Sequence, residues 1–236
     1  MKKLLALSVL ATVAVAAHAT SIAPIYDCMT GVSSYTTSTS NPGNTFGDGA
    51  SSIVPRPGPN HITSIDFGMF VVGAQTFAAN ELVAQINIYS SYDGSGANPV
   101  MGSLVGSAFY GLGAFSTTGN AAFSITGGAL STPIDLPTNM STMGWTMTFL
   151  RNNVKTGTVR AAFTTTVLPT VGTSPIGFYR DANDDGIITA DENRVFGTGT
   201  DPSDNMVIRF NAVPEPASMA VLGLGVAALL RRRKKA

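Results

Sequence analysis

Residues 65–89 read IDFGMFVVGAQTFAANELVAQINIY. Ile65, Phe67, Met69 and Val71 stand at every second position, and Leu82, Ala84, Ile86 and Ile88 do so again, with Gln85, Asn87 and Tyr89 facing the other way. Successive side chains of an extended chain point to opposite sides, so a period of two marks a strand with one buried face. Outward from this stretch the pattern recurs. Trp145, Met147 and Phe149 alternate with Thr146 and Thr148; Val159, Ala161, Phe163, Thr165 and Val167 form another run; Met206, Ile208 and Phe210 supply a last one. Ser33–Thr39, Leu104–Phe109 and Ala121–Thr126 are further strand candidates, with loops expected at Asn41–Gly49 and Tyr92–Pro99. No long stretch carries the 3.6-residue spacing of a buried helix face. Eight or more short strands, each with one solvated face, predict an all-β fold: one antiparallel β-sandwich or jelly-roll domain, without the crossover helices a parallel sheet needs.

The two ends of the 236-residue chain read differently from this body. Residues 1–19 begin with Lys2 and Lys3, continue through an apolar run from Leu4 to Ala17, and close on the small-residue site Ala17-His18-Ala19. This is the layout of a secretory signal peptide cut after Ala19, since the run is shorter than the roughly 20 residues a membrane span needs. The expected division is therefore a signal peptide over 1–19, a β-sandwich over 20–212 and a separate tail over 213–236.

The tail reads VPEPASMAVLGLGVAALLRRRKKA, with Pro214-Glu215-Pro216, 12 apolar residues from Met219 to Leu230, and five basic residues from Arg231 to Lys235. As a helix the apolar part is about 18 Å long, short of a hydrocarbon core of roughly 30 Å. The basic cluster holds it on the cytoplasmic side and leaves the body outside. This order resembles the PEP-CTERM sorting signal of exopolysaccharide-producing bacteria, with Gly223 and Gly225 inside the apolar part. The resemblance implies processing by an exosortase, a membrane enzyme, and only transient contact with the membrane, much as a lipid-anchor signal is removed from its mature protein.

Residues 181–192, DANDDGIITADE, fill a twelve-residue calcium loop: Asp181, Asn183 and Asp185 at positions 1, 3 and 5, Gly186 at the sharp turn, Ile188 at position 8 and Glu192 at position 12. Ile187 lends a carbonyl and Thr189 a water-bridged contact, so the expected cofactor is calcium. The loop resembles those of EF-hand and dockerin proteins, but Pro169, Pro175 and Gly177 before it, and Gly197, Gly199 and Pro202 after it, exclude a flanking helix pair. Calcium here is expected to lock a loop and stabilise the native state rather than act as a sensor.

Without leader and tail the body carries seven basic and 13 acidic residues, a net charge of −6. That sign disfavours nucleic acid and anionic lipid. Cys28 stands alone, so no internal disulfide forms, and a buried or incidental thiol is expected. His61 is the body's one histidine, and neither a G-x-S-x-G nucleophile turn nor zinc-ligand spacing occurs. Paired carboxylates from Asp66, Glu81, Asp93 or Asp135 remain candidates for glycoside chemistry. The sequence thus points to a non-catalytic cell-surface or matrix protein engaging exopolysaccharide in a biofilm, with Tyr89, Tyr92, Tyr110 or Trp145 as candidate aromatic platforms, although Trp145 alternates like a core residue. The alternatives are a secreted carbohydrate-active enzyme on the same fold and a structural surface component with no discrete ligand. The segment INIYSSYDGSGANPVMGSLVG (residues 86–106) loosely resembles the strand-loop-strand unit of sandwich domains joined to such tails.

Overall fold

The computed structural model describes residues 22–37, 45–54, 60–93, 100–164, 167–174, 178–181 and 205–214, and every regular element among them is a β-strand. In chain order these are β1 (Ala23–Asp27), β2 (Phe46–Ala50), β3 (Asn60–Val71), β4 (Ala74–Phe77), β5 (Leu82–Tyr89), β6 (Tyr92–Asp93), β7 (Val100–Met101), β8 (Leu104–Gly111) and β9 (Phe115–Thr118). There follow β10 (Ala121–Ile125), β11 (Ala129–Leu136), β12 (Met143–Arg151), β13 (Val154–Lys155), β14 (Val159–Ala161), β15 (Phe163–Thr164), β16 (Tyr179–Arg180), β17 (Asn205–Met206) and β18 (Ile208–Pro214).

The strands form two six-stranded antiparallel sheets. One runs β1-β18-β3-β10, with β11 and β14 also paired to β3; the other runs β16-β2-β12-β5-β8, with β13 on β12. Residues 65–89 supply the spine of the first sheet (β3) and a central strand of the second (β5). Their alternating residues all point inward: Ile65, Phe67, Met69 and Val71 from β3 meet Leu82, Ala84, Ile86 and Ile88 from β5, all buried. Along β3 the alternation slips once, because Asn211 of β18 pairs with Ser64 while the next residue, Ala212, pairs with Ile62. This bulge turns both Ile62 and Ile65 into the core. At the other end of β12 the chain reverses through Asn152 and Asn153, both at positive φ (50° and 65°), the two-residue turn whose twist suits a tight hairpin into β13.

The inner faces of the sheets interlock through aromatic rings. Trp145 lies 4.8 Å from Tyr26 and 5.1 Å from Phe210, and Phe67 lies 6.3 Å from Phe149, measured between ring centroids. A third small sheet, β15-β17, joins the two: Phe163 stacks on Phe178 at 3.6 Å and meets Phe46 edge-on at 5.7 Å.

Five local expectations change. The run 206–210 is two strands, because Met206 pairs with Phe163 in the small sheet β15-β17 while Ile208 and Phe210 pair with β3. The run 159–167 is not one strand: β14 leaves the first sheet after Ala161, and Phe163 enters the small sheet with β17. At the crossing, Ala162 donates to the Gly68 carbonyl and accepts from the Val207 amide. Ala161, Ala162, Phe163 and Thr164 are all buried, so the burial pattern loses its alternation where the chain changes sheet. Within Asn41–Gly49, residues 46–49 belong to strand β2, whose paired glycines lie against β12; residues 41–44 lie outside the described residues. Of Ser33–Thr39, the described residues 33–37 form a single bridge, Thr36 to Phe163, in place of a strand, and residues 38 and 39 lie outside the described residues. Tyr92 and Asp93 also pair, with Met101 and Val100, around residues 94–99, which lie outside the described residues.

Trp145 is fully buried between both sheets, so Trp145→Ala is expected to cost about 3–5 kcal/mol in denaturant unfolding. Val154→Ala, at a position 69% exposed, is expected to stay within about 0.5 kcal/mol. Comparable losses in the two variants contradict this placement of the core.

Candidate functional site

The body ends in strand β18, and this strand is internal: β1 pairs with one side of it and β3 with the other. Ala212 lies opposite Ala23, Val213 opposite His61 and Pro214 opposite Asn60. Pro214, the first residue of the Pro-Glu-Pro triplet, is therefore the last paired residue of the first sheet, a strand-end position where a missing N–H is tolerated. The chain enters β1 and leaves β18 at the same end of this sheet. Glu215, Pro216 and the apolar and basic segments after them lie outside the described residues, as do the signal segment 1–19 and its Ala19 site.

Of the calcium loop, Asp181 is described. It follows β16, its side chain is buried, and its amide donates to the Thr45 carbonyl at 3.0 Å, just before β2. Thr45 in turn shares a 2.6 Å hydroxyl hydrogen bond with Thr148 of β12. The first residue of the expected calcium loop is thus fixed to the second sheet. Asn183, Asp185, Gly186, Ile187, Ile188, Thr189 and Glu192 lie outside the described residues. No three His, Cys, Asp or Glu side chains converge for a metal among the described residues.

A model of the PEP-CTERM protein-sorting motif matches residues 212–234. The chain carries a PEP-CTERM sorting motif. It is accordingly an exported protein sorted by an exosortase, with a membrane-associated C-terminal tail. No curated protein and no solved structure matches the chain. The match begins at Ala212, so the PEP-CTERM motif and the last strand of the body overlap over residues 212–214.

Three of the four carboxylates singled out for catalysis, Asp66, Glu81 and Asp135, hold neighbouring parts of the fold together in separate places. Asp66 is buried on β3; one oxygen accepts from Arg209 (2.6 and 2.7 Å) and Asn211 (3.0 Å), the other from the Gly127 amide (2.8 Å). The Gly127 position admits no side chain, because a Cβ there would lie 1.8 Å from the Ile65 carbonyl oxygen. Glu81 accepts from the Ala78 amide and pairs with Arg151 at 2.7 Å, and these contacts hold its carboxyl below the usual range. Asp135 pairs with His61, 2.5 Å from Nδ1, across the β3–β11 register. Asp93 ends β6. Of the proposed aromatic platforms, Tyr89, Tyr92 and Trp145 are buried, and the Tyr110 hydroxyl accepts the Ile65 amide at 2.9 Å. Among the described residues the exposed aromatic is instead Phe109, 60% accessible. Cys28 is a buried thiol that burial, reinforced by the charge of Asp48, pushes up to about 12.

One group escaped the sequence reading. Asp48 sits in the middle of β2, fully buried and opposite Trp145, between Phe46 and Ala50 on the inward face. One of its oxygens accepts from the Met206 amide (2.8 Å), the other from the Gly49 amide (2.7 Å) and the Ser174 hydroxyl (3.4 Å). The signal was the period-two pattern Phe46, Asp48, Ala50 inside FGDGA, hidden by glycines that suit a loop equally well. Burial pushes the Asp48 carboxyl up to about 8, outweighing the two amides and the hydroxyl, which favour the anion. The neighbouring Tyr26 hydroxyl and Cys28 thiol are pushed up too, by burial first and by the Asp48 charge second.

The folded chain therefore keeps a proton on Asp48 where an unfolded aspartate, near 3.8, has lost it. Stability falls as pH rises through this window, because the folded state binds a proton that the unfolded state has lost, and levels off above pH 8. The melting temperature is expected to drop between pH 5 and pH 8, and Asp48→Asn to remove most of that drop. A melting temperature equal at both pH values contradicts the assignment.

Proposed function

We propose that this exported chain is a non-catalytic component of the cell surface or extracellular matrix, associated with exopolysaccharide, whose sandwich is stabilised by calcium bound at residues 181–192. The observation that carries the reading is the overlap of the last strand with the sorting motif: Pro214 is still paired with Asn60 where the Pro-Glu-Pro begins. Processing beyond that triplet removes hydrophobic and basic tail residues and leaves a complete sandwich on the outside.

Calcium is supported by the residue types at 181–192 and by the anchoring of Asp181 on Thr45, which presents the first ligand position from a rigid strand end. Ligands at positions 3, 5, 7, 9 and 12 are Asn183, Asp185, the Ile187 carbonyl, Thr189 through water, and Glu192. A non-catalytic role is favoured because Asp66, Glu81 and Asp135 each neutralise or orient a neighbour within the fold. Glycoside hydrolysis needs two carboxyl groups facing one bond, about 5 or 6.5–9.5 Å apart.

Two measurements test the reading. Mass spectrometry of protein recovered from the surface of producing cells is expected to find chains without Arg231–Ala236; intact C-termini there overturn the processing step. Calcium is expected to raise the melting temperature of the exported protein by several degrees over the same protein in chelator, with Glu192→Gln losing most of the gain. An identical melting temperature in both solutions removes calcium from the account.

A further inference from the structure

We infer that residues 212–214 are a latch on the sorting motif: paired in the first sheet they withhold the start of the motif from the processing enzyme, and they peel away from β3, as far as the bulge after Asn211, before the tail is removed. The latch rests on the reading that an exosortase removes the tail, and it governs the rate of that step.

Ala212, Val213 and Pro214 belong both to β18 and to the matched motif. In the sheet their backbone is already engaged: β3 pairs with all three, opposite Ile62, His61 and Asn60, and Ala23 of β1 lies on the other side of Ala212. An enzyme that grips a peptide in extended form uses the same backbone edges, so sheet and enzyme cannot hold these residues at once. Little chain is left over to avoid the clash. Only residues 215–218 separate the last paired residue from the apolar stretch that starts at Met219. The five steps from Pro214 to Met219 reach at most about 18 Å.

The fold marks how far the peeling runs. The β18–β3 register breaks between Asn211 and Ala212, and the matched motif begins at Ala212. Before the break the strand is clamped: Arg209 and Phe210 pair with β1 on one side and β3 on the other, Arg209 bridges Asp66 and Asp27, and Phe210 lies against Trp145 and Tyr26. Beyond it Ala212 buries no more than a methyl group, Val213 is half-buried, and among the described residues Val213 and Pro214 pair with β3 alone. A bulge interrupts the ladder, so the three residues past it open without disturbing the core on its other side. Local openings of this kind cost far less than global unfolding. Processing then proceeds in proportion to the fraction of chains whose latch is open.

In producing cells the exported full-length chain is pulse-labelled, and its conversion to the form lacking residues 231–236 is followed by mass spectrometry. His61→Cys combined with Val213→Cys puts two thiols at directly opposite positions, within the roughly 4.4–6.8 Å between Cα atoms that a disulfide spans. The oxidised pair is expected to slow conversion at least tenfold against the same chain kept reduced. Ile62→Ala, opposite Ala212 and outside the motif, is expected to speed conversion at least threefold, whereas Leu82→Ala, an equally buried truncation on β5, is expected to leave it within twofold. Should Ile62→Ala fail to fold, the oxidised and reduced double variant alone decides. Conversion at one rate in the oxidised and reduced chains, or equal acceleration by Ile62→Ala and Leu82→Ala, overturns the latch and leaves processing standing. Tails retained in every chain, the unaltered one included, overturn the processing reading and the latch with it.

Discussion

The pairing of β18 with β3 is the constraint on which the rest depends. β3 is the spine of the first sheet, and its partner is separated from it by most of the folded chain: Ile208 lies opposite Phe67, and Pro214 opposite Asn60. Until β18 is in place, one side of β3 and one side of β1 lack their backbone partners, and Phe210 is missing from the aromatic contacts that join the sheets at Trp145 and Tyr26. A pairing so distant in sequence forms late and slowly. The first sheet is therefore complete only with residues up to 214 in place, where the sorting motif already begins. Folding and delivery meet at one proline.

The same strand explains the polar cluster on the outer face of the first sheet. Arg209 bridges Asp66 and, at 3.9 Å, Asp27, and Asn211 adds a third contact to Asp66. Burial pushes the Asp27 carboxyl up, but hydrogen bonds from Thr30 and Met29, helped by the Arg209 charge, hold it below the usual range. These charges tie β1, β3 and β18 side by side. On the inner side Asp48 does the opposite work: it stays protonated, spans from β2 to the Met206 amide of β17, and links the second sheet to the segment that leads into β18. A carboxyl without a cationic partner costs least there when neutral.

Much of this was legible. The alternations at 65–71, 82–88 and 145–149 named core strands because a half-buried strand has no other way to arrange its side chains. The tail was legible because length and charge order alone define it. What the sequence hid was non-local. Ala162 can sit in one long strand or at a change of sheet, and only the partner across from it decides. The glycines of FGDGA read as a loop because glycine is weak in strands, yet here they permit close packing: a Cβ at Gly49 would fall 2.1 Å from the Tyr92 ring. Asp48 went unread for the same reason, and Tyr89 and Tyr92 read as surface aromatics because their cover comes from elements far away in the chain.

Near-ultraviolet circular dichroism during thermal unfolding, applied to an exported chain ended at Ala217 and to one ended at Val207, tests the dependence on β18 most directly. The account predicts a cooperative transition and fixed aromatic signal from the longer chain, and neither from the shorter. A cooperative transition at the same temperature without residues 208–214 would contradict it.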